Sequence, residues 1–444
     1  MRAWLAGFEA RDWAWVAALL VVVALGLVQS AGLAHTGPLR FFINSIVLTV
    51  LLGAIFAVGL TVVVGFTGLL DLGYVAFVAI GAYVVAIGLM LTVQTPTEYS
   101  GPTALRLSDL VLTEEQRRLE PRDGLAVVVA ERSNYKFDVV EGAAAVLAAQ
   151  GRGERTIAAR HQGGLALGVG TRAAHGTPAL SFPGAFPLLL LLGGLAGAGM
   201  GLVRGFPTLR LTGDYYAIVT LGFAEIVSLV LKNEVWLTGG PSGIKPPPAF
   251  KPQLLGADLY NDTGRFYFLV VLALLAALVA VRRLQHSRLG RSWAAIKADE
   301  TAARASGIDV DRAKMLAFAV SGFIGGVAGG LFTVKIENVV TPDTFKMDLS
   351  IIAVCSVVLG GIGSLRGAVL GAAILWGLSE ALRFVTVIPQ DARFLVYGLI
   401  LVVLMRFRPQ GLLPPRVGGS PPDEAALAEL RQTATPLFHL GART

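Results

Sequence analysis

Two acidic residues stand where they could act on a polar solute, because each lies in or beside an apolar segment. Glu225 is the one charged residue in the run 215–231, and Asp71 lies in the sequence GFTGLLDLG at 65–73. An ionisable residue within a membrane span is by default a functional-site hypothesis. Glycines that interrupt apolar sequence also mark solute sites, since unwound backbone offers hydrogen bonds inside the membrane. The chemistry indicated is binding of a solute along a path through a membrane.

Both acidic residues also have a plainer interpretation, and the sequence leaves it open. Glu225 can lie near a helix end and pair with a neighbouring helix. The segment 65–73 can be an ordinary cytoplasmic turn that keeps Asp71 in water. The candidate translocation path consists of Gly65, Thr67, Gly68, Asp71, Gly73, Phe77 and Glu225.

No sequence pattern for catalysis, cofactor binding or metal binding stands out. The chain has no G-x4-G-K-[ST] loop, so it cannot bind ATP in the P-loop manner. Its single cysteine, Cys355, rules out an intrachain disulfide. The segment GIGSLRG at 361–367 is similar to a dinucleotide fingerprint, but it lacks the βαβ context that such a motif needs, and a turn between broken helices is predicted there instead. We expect no enzyme activity, no cofactor and no metal.

The elements that must position these residues are membrane helices. Residues of the AVILMFWYC set make up 54% of the 444 residues and charged residues 15%, against about 25% charged residues in soluble proteins. The net charge is +7, but many basic residues flank apolar runs, which argues against a nucleic-acid partner. The composition predicts an all-α integral membrane protein.

Ten apolar runs approach the length of about 20 residues that a membrane helix needs. Two of the runs are short, so the prediction is a polytopic helical bundle of about 8–10 transmembrane helices. The first run is too long for the core of a signal peptide and is predicted to be a retained helix. The runs are 13–33, 41–64, 74–93, 186–203, 215–231, 266–281, 315–334, 349–360, 368–382 and 394–405.

Basic residues in short loops orient the helices, because cytoplasmic loops are enriched in Lys and Arg. The loop 282–314 holds eight of them and is predicted to be cytoplasmic, and Arg204 and Arg210 are counted on the same side. The polar stretch 94–185 then becomes an extracytoplasmic insertion, in which the alanine-rich 141–150 is predicted as a short helix. The organisation is N-terminal helices at 1–93, the insertion at 94–185, the main core at 186–408 and a cytoplasmic tail at 409–444.

Three apolar runs carry glycines at every fourth position, which places small residues on one helix face. We interpret these faces as sites where helix backbones pack closely. The glycines are Gly193, Gly197 and Gly201, then Gly322, Gly326 and Gly330, then Gly363, Gly367 and Gly371. In the cytoplasmic loop, 292–306 is predicted to be one amphipathic helix that ends at Gly307.

Several sequence blocks in a fixed order identify a resemblance to the LivM-type permease subunits of branched-chain amino acid ABC importers. The resemblance covers roughly 38–93 and 186–416. Its blocks are GFTGLLDLG at 65–73, LRLTGDYYAIVTLGFAEI at 209–226, TGGPSGI at 238–244, GRSWAAIKADETAARASG at 290–307, VLGGIGS at 358–364 and RPQGLL at 408–413.

The resemblance implies a bacterial cytoplasmic (inner) membrane protein that is the translocation subunit of an ATP-driven importer. It implies four kinds of partner besides membrane lipid: a homologous second permease of the LivH type, two ABC ATPase subunits and an extracytoplasmic substrate-binding protein. It also implies that the cytoplasmic loop is the EAA-type loop that docks on the ATPase, with Thr301 where the general pattern has Glu. The loop residues assigned to this role are Arg291, Glu300, Thr301, Ala302, Ala303, Arg304 and Gly307.

The sequence departs from the family in three places: Asp71 replaces a small or apolar residue, Thr61 replaces a common Asn, and 94–185 replaces a short loop. Leu, Ile and Val are the expected cargo, and urea or short-chain amides are the close alternative. An ion-coupled secondary transporter, with Glu225 and Asp71 as proton sites, is an alternative of a different class. A membrane enzyme or sensor built on 94–185 is another.

Overall fold

The chain folds into a bundle of membrane-length helices that carries short strands on its connections. The computed structural model describes residues 42–94, 145–150, 154–159, 164–167, 177–178, 185–209, 211, 213–244, 253–254, 257–258, 263–336, 340–383, 390–408 and 410–414. Its first helix, α1, is continuous from Phe42 to Thr67. This helix is π-helical at Phe42–Val47, α-helical at Leu48–Leu60 and again π-helical at Thr61–Thr67.

The remaining helices follow in chain order, and two short 3-10 turns lie at Gly240–Ser242 and Pro342–Phe345. They are α2 (Val75–Met90), α3 (Ala185–Thr208), α4 (Asp214–Asn233), α5 (Val235–Thr238), α6 (Thr263–Gln285), α7 (Arg288–Ala298), α8 (Glu300–Ala305), α9 (Val310–Ile336), α10 (Met347–Gly360), α11 (Leu365–Arg383) and α12 (Gln390–Phe407).

Nine of the ten apolar runs predicted from the sequence coincide with helices of the structure. The first run, 13–33, lies outside the described residues. Within the described residues, six helices are long and apolar enough to cross a membrane, and the apolar part of α2, Val75–Leu89, is shorter. The prediction of a helical membrane protein is confirmed.

The centre of the bundle is formed by α1 and α9, which pack on each other and on most other long helices. Along α9 lie α1, α2 and α3, and α11 lies along the other side of α1. Of the six membrane-length helices, α1 is the most completely buried inside the protein. A helix that is apolar all round is expected in such an interior position.

Glycines let α3, α9 and α2 touch through their backbones. A Cβ added at Gly197 of α3 would lie 2.2 Å from the carbonyl oxygen of Gly322 in α9, and one added at Gly322 would lie 2.3 Å from the carbonyl oxygen of Gly197. A Cβ added at Gly81 of α2 would lie 2.1 Å from the carbonyl oxygen of Gly326. The predicted close packing of the glycine faces is confirmed for α3 and α9, and Gly81 adds a contact that was not predicted.

The strands belong to connections rather than to the bundle. Strand β1 (Leu91–Gln94) pairs antiparallel with both β4 (Gly164–Leu167) and β5 (Thr177–Pro178). Strands β2 (Ala145–Gln150) and β3 (Glu154–Ala159) form an antiparallel hairpin, and β6 (Gln253–Leu254) pairs with β7 (Ala257–Asp258).

Two predictions made for the insertion and its border are wrong. The stretch 141–150 was expected to be helical, but its described part is strand β2, in which Leu147 pairs with Ile157 and Ala148 with Thr156. Pairing with a strand that contains β-branched residues outweighs the helix propensity of alanine. The run 74–93 was expected to be helical throughout, but α2 ends at Met90 and β1 follows.

Candidate functional site

The loop that was predicted to be cytoplasmic contains two helices that meet at Asp299, and the prediction of one helix over 292–306 is wrong. Asp299 is extended, with φ −161°, and its carboxylate accepts a hydrogen bond from the backbone N–H of Ala302 at 2.9 Å. Asp is among the best N-capping residues, and it favours the start of a new helix over the continuation of the old one. Asp299 therefore ends α7 and caps the N-terminus of α8.

Ion pairs fasten α8 to the first turns of α9. Glu300 accepts hydrogen bonds from Lys314, at 2.7 Å, and from Arg304, at 3.2 Å, and Arg304 also bonds Asp311 at 2.9 Å. The Lys314 side chain is buried, with an exposed fraction of 1%. Asp311, and then Glu300, raise the pKa of Arg304 above its ordinary value through their hydrogen bonds. These ion pairs connect the short helix α8 to the first turns of α9.

Five of the seven residues predicted to dock on an ATPase are exposed on this loop. Arg291, Thr301, Ala302, Arg304 and Gly307 are exposed. Two further members point inward: Ala303 is buried, and Glu300, in an intermediate environment, pairs with buried Lys314. Gly307 adopts φ +80°, and a Cβ added there would meet no atom within 4 Å.

The loop contacts the end of α1 directly, so the two sites predicted separately are neighbours. The ammonium of Lys297 in α7 donates a hydrogen bond to the carbonyl oxygen of Gly65 at 2.7 Å. The rings of Phe66 and Trp293 stack with their centroids 6.4 Å apart, and the indole N–H of Trp293 donates to the carbonyl oxygen of Ala313 at 2.8 Å.

After α1 the chain leaves helical geometry, and side chains satisfy its backbone. Gly68 ends the helix in the left-handed conformation, with φ +76°. The N–H of Leu72 donates to the Thr220 hydroxyl at 3.2 Å, and the N–H of Val75 donates to the Ser350 hydroxyl at 2.9 Å. Non-helical backbone at membrane depth is tolerated only where protein or water satisfies it. Side chains of α4 and α10 thus satisfy backbone N–H groups within and directly after the segment 68–74.

Asp71 is neither in water nor free, since it forms a buried ion pair with Arg204. The guanidinium donates two hydrogen bonds to the carboxylate, at 2.8 and 2.5 Å, and the exposed fraction of both side chains is 0%. Arg204 also lies 4.2 Å from the ring centroid of Phe77, and Asp71 accepts from the N–H of Gly73 at 2.9 Å. The interpretation of 65–73 as a turn with a hydrated Asp71 is therefore wrong.

Sequence reasoning missed Arg204 as the partner of Asp71. It counted Arg204 with the basic loop residues because the predicted run ended at 203. The helix α3 continues to Thr208, so Arg204 belongs to the helix and is buried inside the bundle. Thr61, the other departure from the family pattern, is also buried, and its hydroxyl donates to the carbonyl oxygen of Ala57 at 2.6 Å. Both departures thus serve contacts inside this chain.

Glu225 stands apart from the other predicted path residues. Gly65, Thr67, Asp71, Gly73 and Phe77 are buried, whereas Glu225 is exposed on α4, with Gly68 the other exposed member of the set. Large apolar side chains of α4 share its exposed face at helical spacing. They are Tyr215, Ile218, Val219, Ile226, Leu229 and Val230.

Of the turn predicted at 361–367, residues 361–364 lie between α10 and α11 and adjoin the end of α1, whereas 365–367 begin helix α11. Gly361 and Gly363 have positive φ angles of 120° and 95°. A Cβ added at Gly363 would lie 3.1 Å from the carbonyl oxygen of Gly65 and 3.4 Å from the Lys297 ammonium. The C-terminal end of α1, the helix α7 and this turn therefore converge.

Comparison with known proteins gives a consistent answer. The family model described as the permease component of the branched-chain amino acid transport system matches residues 42–405. The chain is 38% identical over 247 residues to the high-affinity branched-chain amino acid transport system permease protein LivM of Salmonella typhimurium, covering 51% of this chain and 56% of that protein. The LivM protein of Escherichia coli gives the same identity and coverage.

More distant relatives carry other names. The chain is 30% identical over 203 residues to the permease protein LivH of Escherichia coli, covering 44% of this chain and 64% of LivH. It is 30% identical over 206 residues to the autoinducer 2 import system permease protein LsrC of an Enterobacter strain, covering 46% of this chain and 56% of LsrC. No solved structure matches the chain.

The chain spans about half the length of the curated LivM relatives it matches. The family model nevertheless covers most of the chain and the greater part of the helical bundle. Six helices of membrane length and relatives named as permeases indicate a multi-pass inner-membrane protein. The chain belongs to the family of branched-chain amino acid transport system permease components.

Proposed function

We propose that this chain is the translocation subunit of an ATP-driven importer of branched-chain amino acids and catalyses no reaction itself. One observation carries the proposal: the exposed cytoplasmic loop is joined directly, through Lys297 and Gly65, to the helix end from which the non-helical segment 68–74 departs. A force applied to the loop would therefore reach interrupted backbone inside the bundle. The similarity to LivM proteins supports the choice of cargo.

We propose that the exposed face of α4 meets a second, homologous permease and that the solute passes between the two subunits. A carboxylate facing lipid at the middle of a span is costly. Glu225 lies eleven residues into a helix of 20 residues and is exposed among apolar side chains. A protein partner or a water-filled path relieves this cost, and the similarity to LivH supports a permease as the partner.

Two ABC ATPase subunits would dock on the exposed residues of α7 and α8, and a binding protein would deliver the solute from outside. Alternating access follows if movement of the loop favours one of two arrangements of the helices. A ligand shifts such an equilibrium only through its differential affinity for the two states. The binding protein would then set much of the selectivity, and the insertion 94–185 would lie on its side of the membrane.

The proposal is tested by purifying the tagged chain from its native membrane and reconstituting what accompanies it into vesicles. We expect two ATPases and a second permease to co-purify, and leucine uptake to require ATP and the binding protein. Uptake by the chain alone, abolished by a proton ionophore and indifferent to ATP, would instead establish an ion-coupled transporter. Competition of leucine uptake by isoleucine, valine, urea and short-chain amides identifies the cargo. The similarity to LsrC shows that relatives of this chain include proteins named for cargo other than amino acids.

Replacement of Gly307 by valine is expected to lower uptake while the protein remains in the membrane. Its φ of +80° costs a residue with a side chain about 1–2 kcal/mol, although space for the side chain is available. Gly307→Asn is the matched variant, since asparagine tolerates this conformation, and it should retain more uptake than Gly307→Val. Equal uptake by both variants and the unmodified protein, in cells with equal membrane levels, would refute the assignment of this loop to coupling.

A further inference from the structure

The helix α1 ends with carbonyl groups that have no partner inside the helix, as every helix does at its C-terminus. Gly68 ends the helix in a left-handed conformation, and the carbonyl oxygen of Gly65 accepts a hydrogen bond from the Lys297 ammonium. A cation is favoured at this end of a helix, where the carbonyl dipoles leave a partial negative charge. Lys297 thus caps a membrane helix from a different element of the chain, 232 residues away.

The site around the lysine is built for close approach. A Cβ added at Gly68 would lie 3.1 Å from the Cγ atom of Lys297, and one added at Gly363 would lie 3.4 Å from its ammonium. The Lys297 side chain can therefore reach Gly65 because Gly68, at the end of α1, and Gly363, in the α10–α11 turn, have no side chains beside it. Partial loss of hydration lowers the pKa of Lys297 below its ordinary value, although the residue as a whole is exposed.

A second contact from the same helix runs to a different place. Trp293, one turn before Lys297, stacks on Phe66 and donates its indole N–H to Ala313 near the start of α9. Trp293 is fully buried, so it fixes the position of α7 against the bundle. Lys297, whose side chain is flexible, adds one charge-assisted hydrogen bond to the last turn of α1.

We propose that Lys297 is a positioning residue through which movement of α7 is transmitted to the end of α1 and to the segment 68–74 that follows it. This inference rests on the proposed ATP-driven importer. The residue touches neither ATP nor solute. Its ammonium holds the carbonyl oxygen of Gly65 at a fixed position relative to α7. A shift of α7 therefore moves the end of α1 and the start of the non-helical segment with it.

The test uses the reconstituted complex and compares Lys297→Met, which keeps the stem and loses the ammonium, with the unmodified protein. We expect leucine uptake to fall at least tenfold while assembly and ATP hydrolysis stay within about twofold, so that more ATP is hydrolysed per leucine transported. Lys297→Arg, which can donate to the same carbonyl, should recover at least half of the uptake. Lys346→Met, which makes the same change at an exposed lysine outside α7 and α8 that pairs with Asp343 at 3.2 Å, is the matched control and should leave the ratio unchanged.

A second readout follows the cap itself. In the purified complex, Lys297→Met should increase hydrogen exchange at the backbone amides of residues 67–74, while exchange in α9 stays as in the unmodified protein. An unchanged ratio of ATP to leucine in Lys297→Met, or failure of Lys297→Arg to recover uptake, would overturn the inference. Absence of ATP-driven uptake in the unmodified complex would instead overturn the proposed function, and the inference with it.

Discussion

Replacement of Asp71 by asparagine is expected to destabilise the folded chain by about 3–5 kcal/mol, because it leaves the Arg204 guanidinium charged and unpaired inside the bundle. Both side chains have an exposed fraction of 0%, and the pair is bidentate. Water therefore cannot replace the lost carboxylate. The free energy of unfolding in detergent, followed by circular dichroism during denaturant titration, measures the effect.

Two comparisons decide whether the buried charge is the cause. Asp309→Asn breaks an exposed Asp–Arg pair with Arg312, and asparagine can keep the bond to the backbone N–H of Arg312, so a loss below about 1 kcal/mol is expected. The double variant Asp71→Leu with Arg204→Met removes both charges and should recover much of the stability that Asp71→Asn loses. A double variant no more stable than Asp71→Asn would contradict this account.

Replacement of Gly197 by leucine is expected to disrupt the bundle, with a cost above about 3 kcal/mol, at or beyond the upper end for overpacked cores. The first side-chain atom would already lie 2.2 Å from the carbonyl oxygen of Gly322. That oxygen is backbone, so α3 and α9 must separate to admit the side chain. Loss of folded protein in detergent-solubilised membranes, measured by size-exclusion chromatography, reports the result.

Gly199 provides a matched control on the same helix. It lies two residues away on the exposed side of α3, and a Cβ added there meets no atom within 4 Å. Gly199→Leu should therefore yield as much folded protein as the unmodified chain. Equal losses from the two leucine variants would mean that helix propensity or membrane insertion, rather than the contact with α9, sets the outcome.

The features that sequence predicted well depend on local periodicity. Nine apolar runs became helices, and glycines at every fourth residue became the contact between α3 and α9, because length, hydropathy and spacing act within one element. The apolar run that contains Glu225 and the basic loop 282–314 were likewise recognised from residues that lie close together in the sequence.

The features that it missed depend on distant partners. Asp71 and Arg204 are 133 residues apart in the sequence, so no local pattern around either residue predicts that they pair. Lys297 was read only as one basic residue of a loop, since its contact with Gly65 requires α7 to lie against α1. The break at Asp299 and strand β2 were missed because capping and strand pairing outweighed a helical composition.

The non-helical segment 68–74 also constrains the order in which the chain can mature during synthesis. The hydroxyls that satisfy the N–H groups of Leu72 and Val75 come from residues 148 and 275 positions later in the chain. At about 5–20 residues per second, a ribosome needs roughly 15–55 s to add 275 residues. For that interval α1 and α2 can insert, but the backbone between them must remain hydrated or bound by the insertion machinery until α4 and α10 arrive.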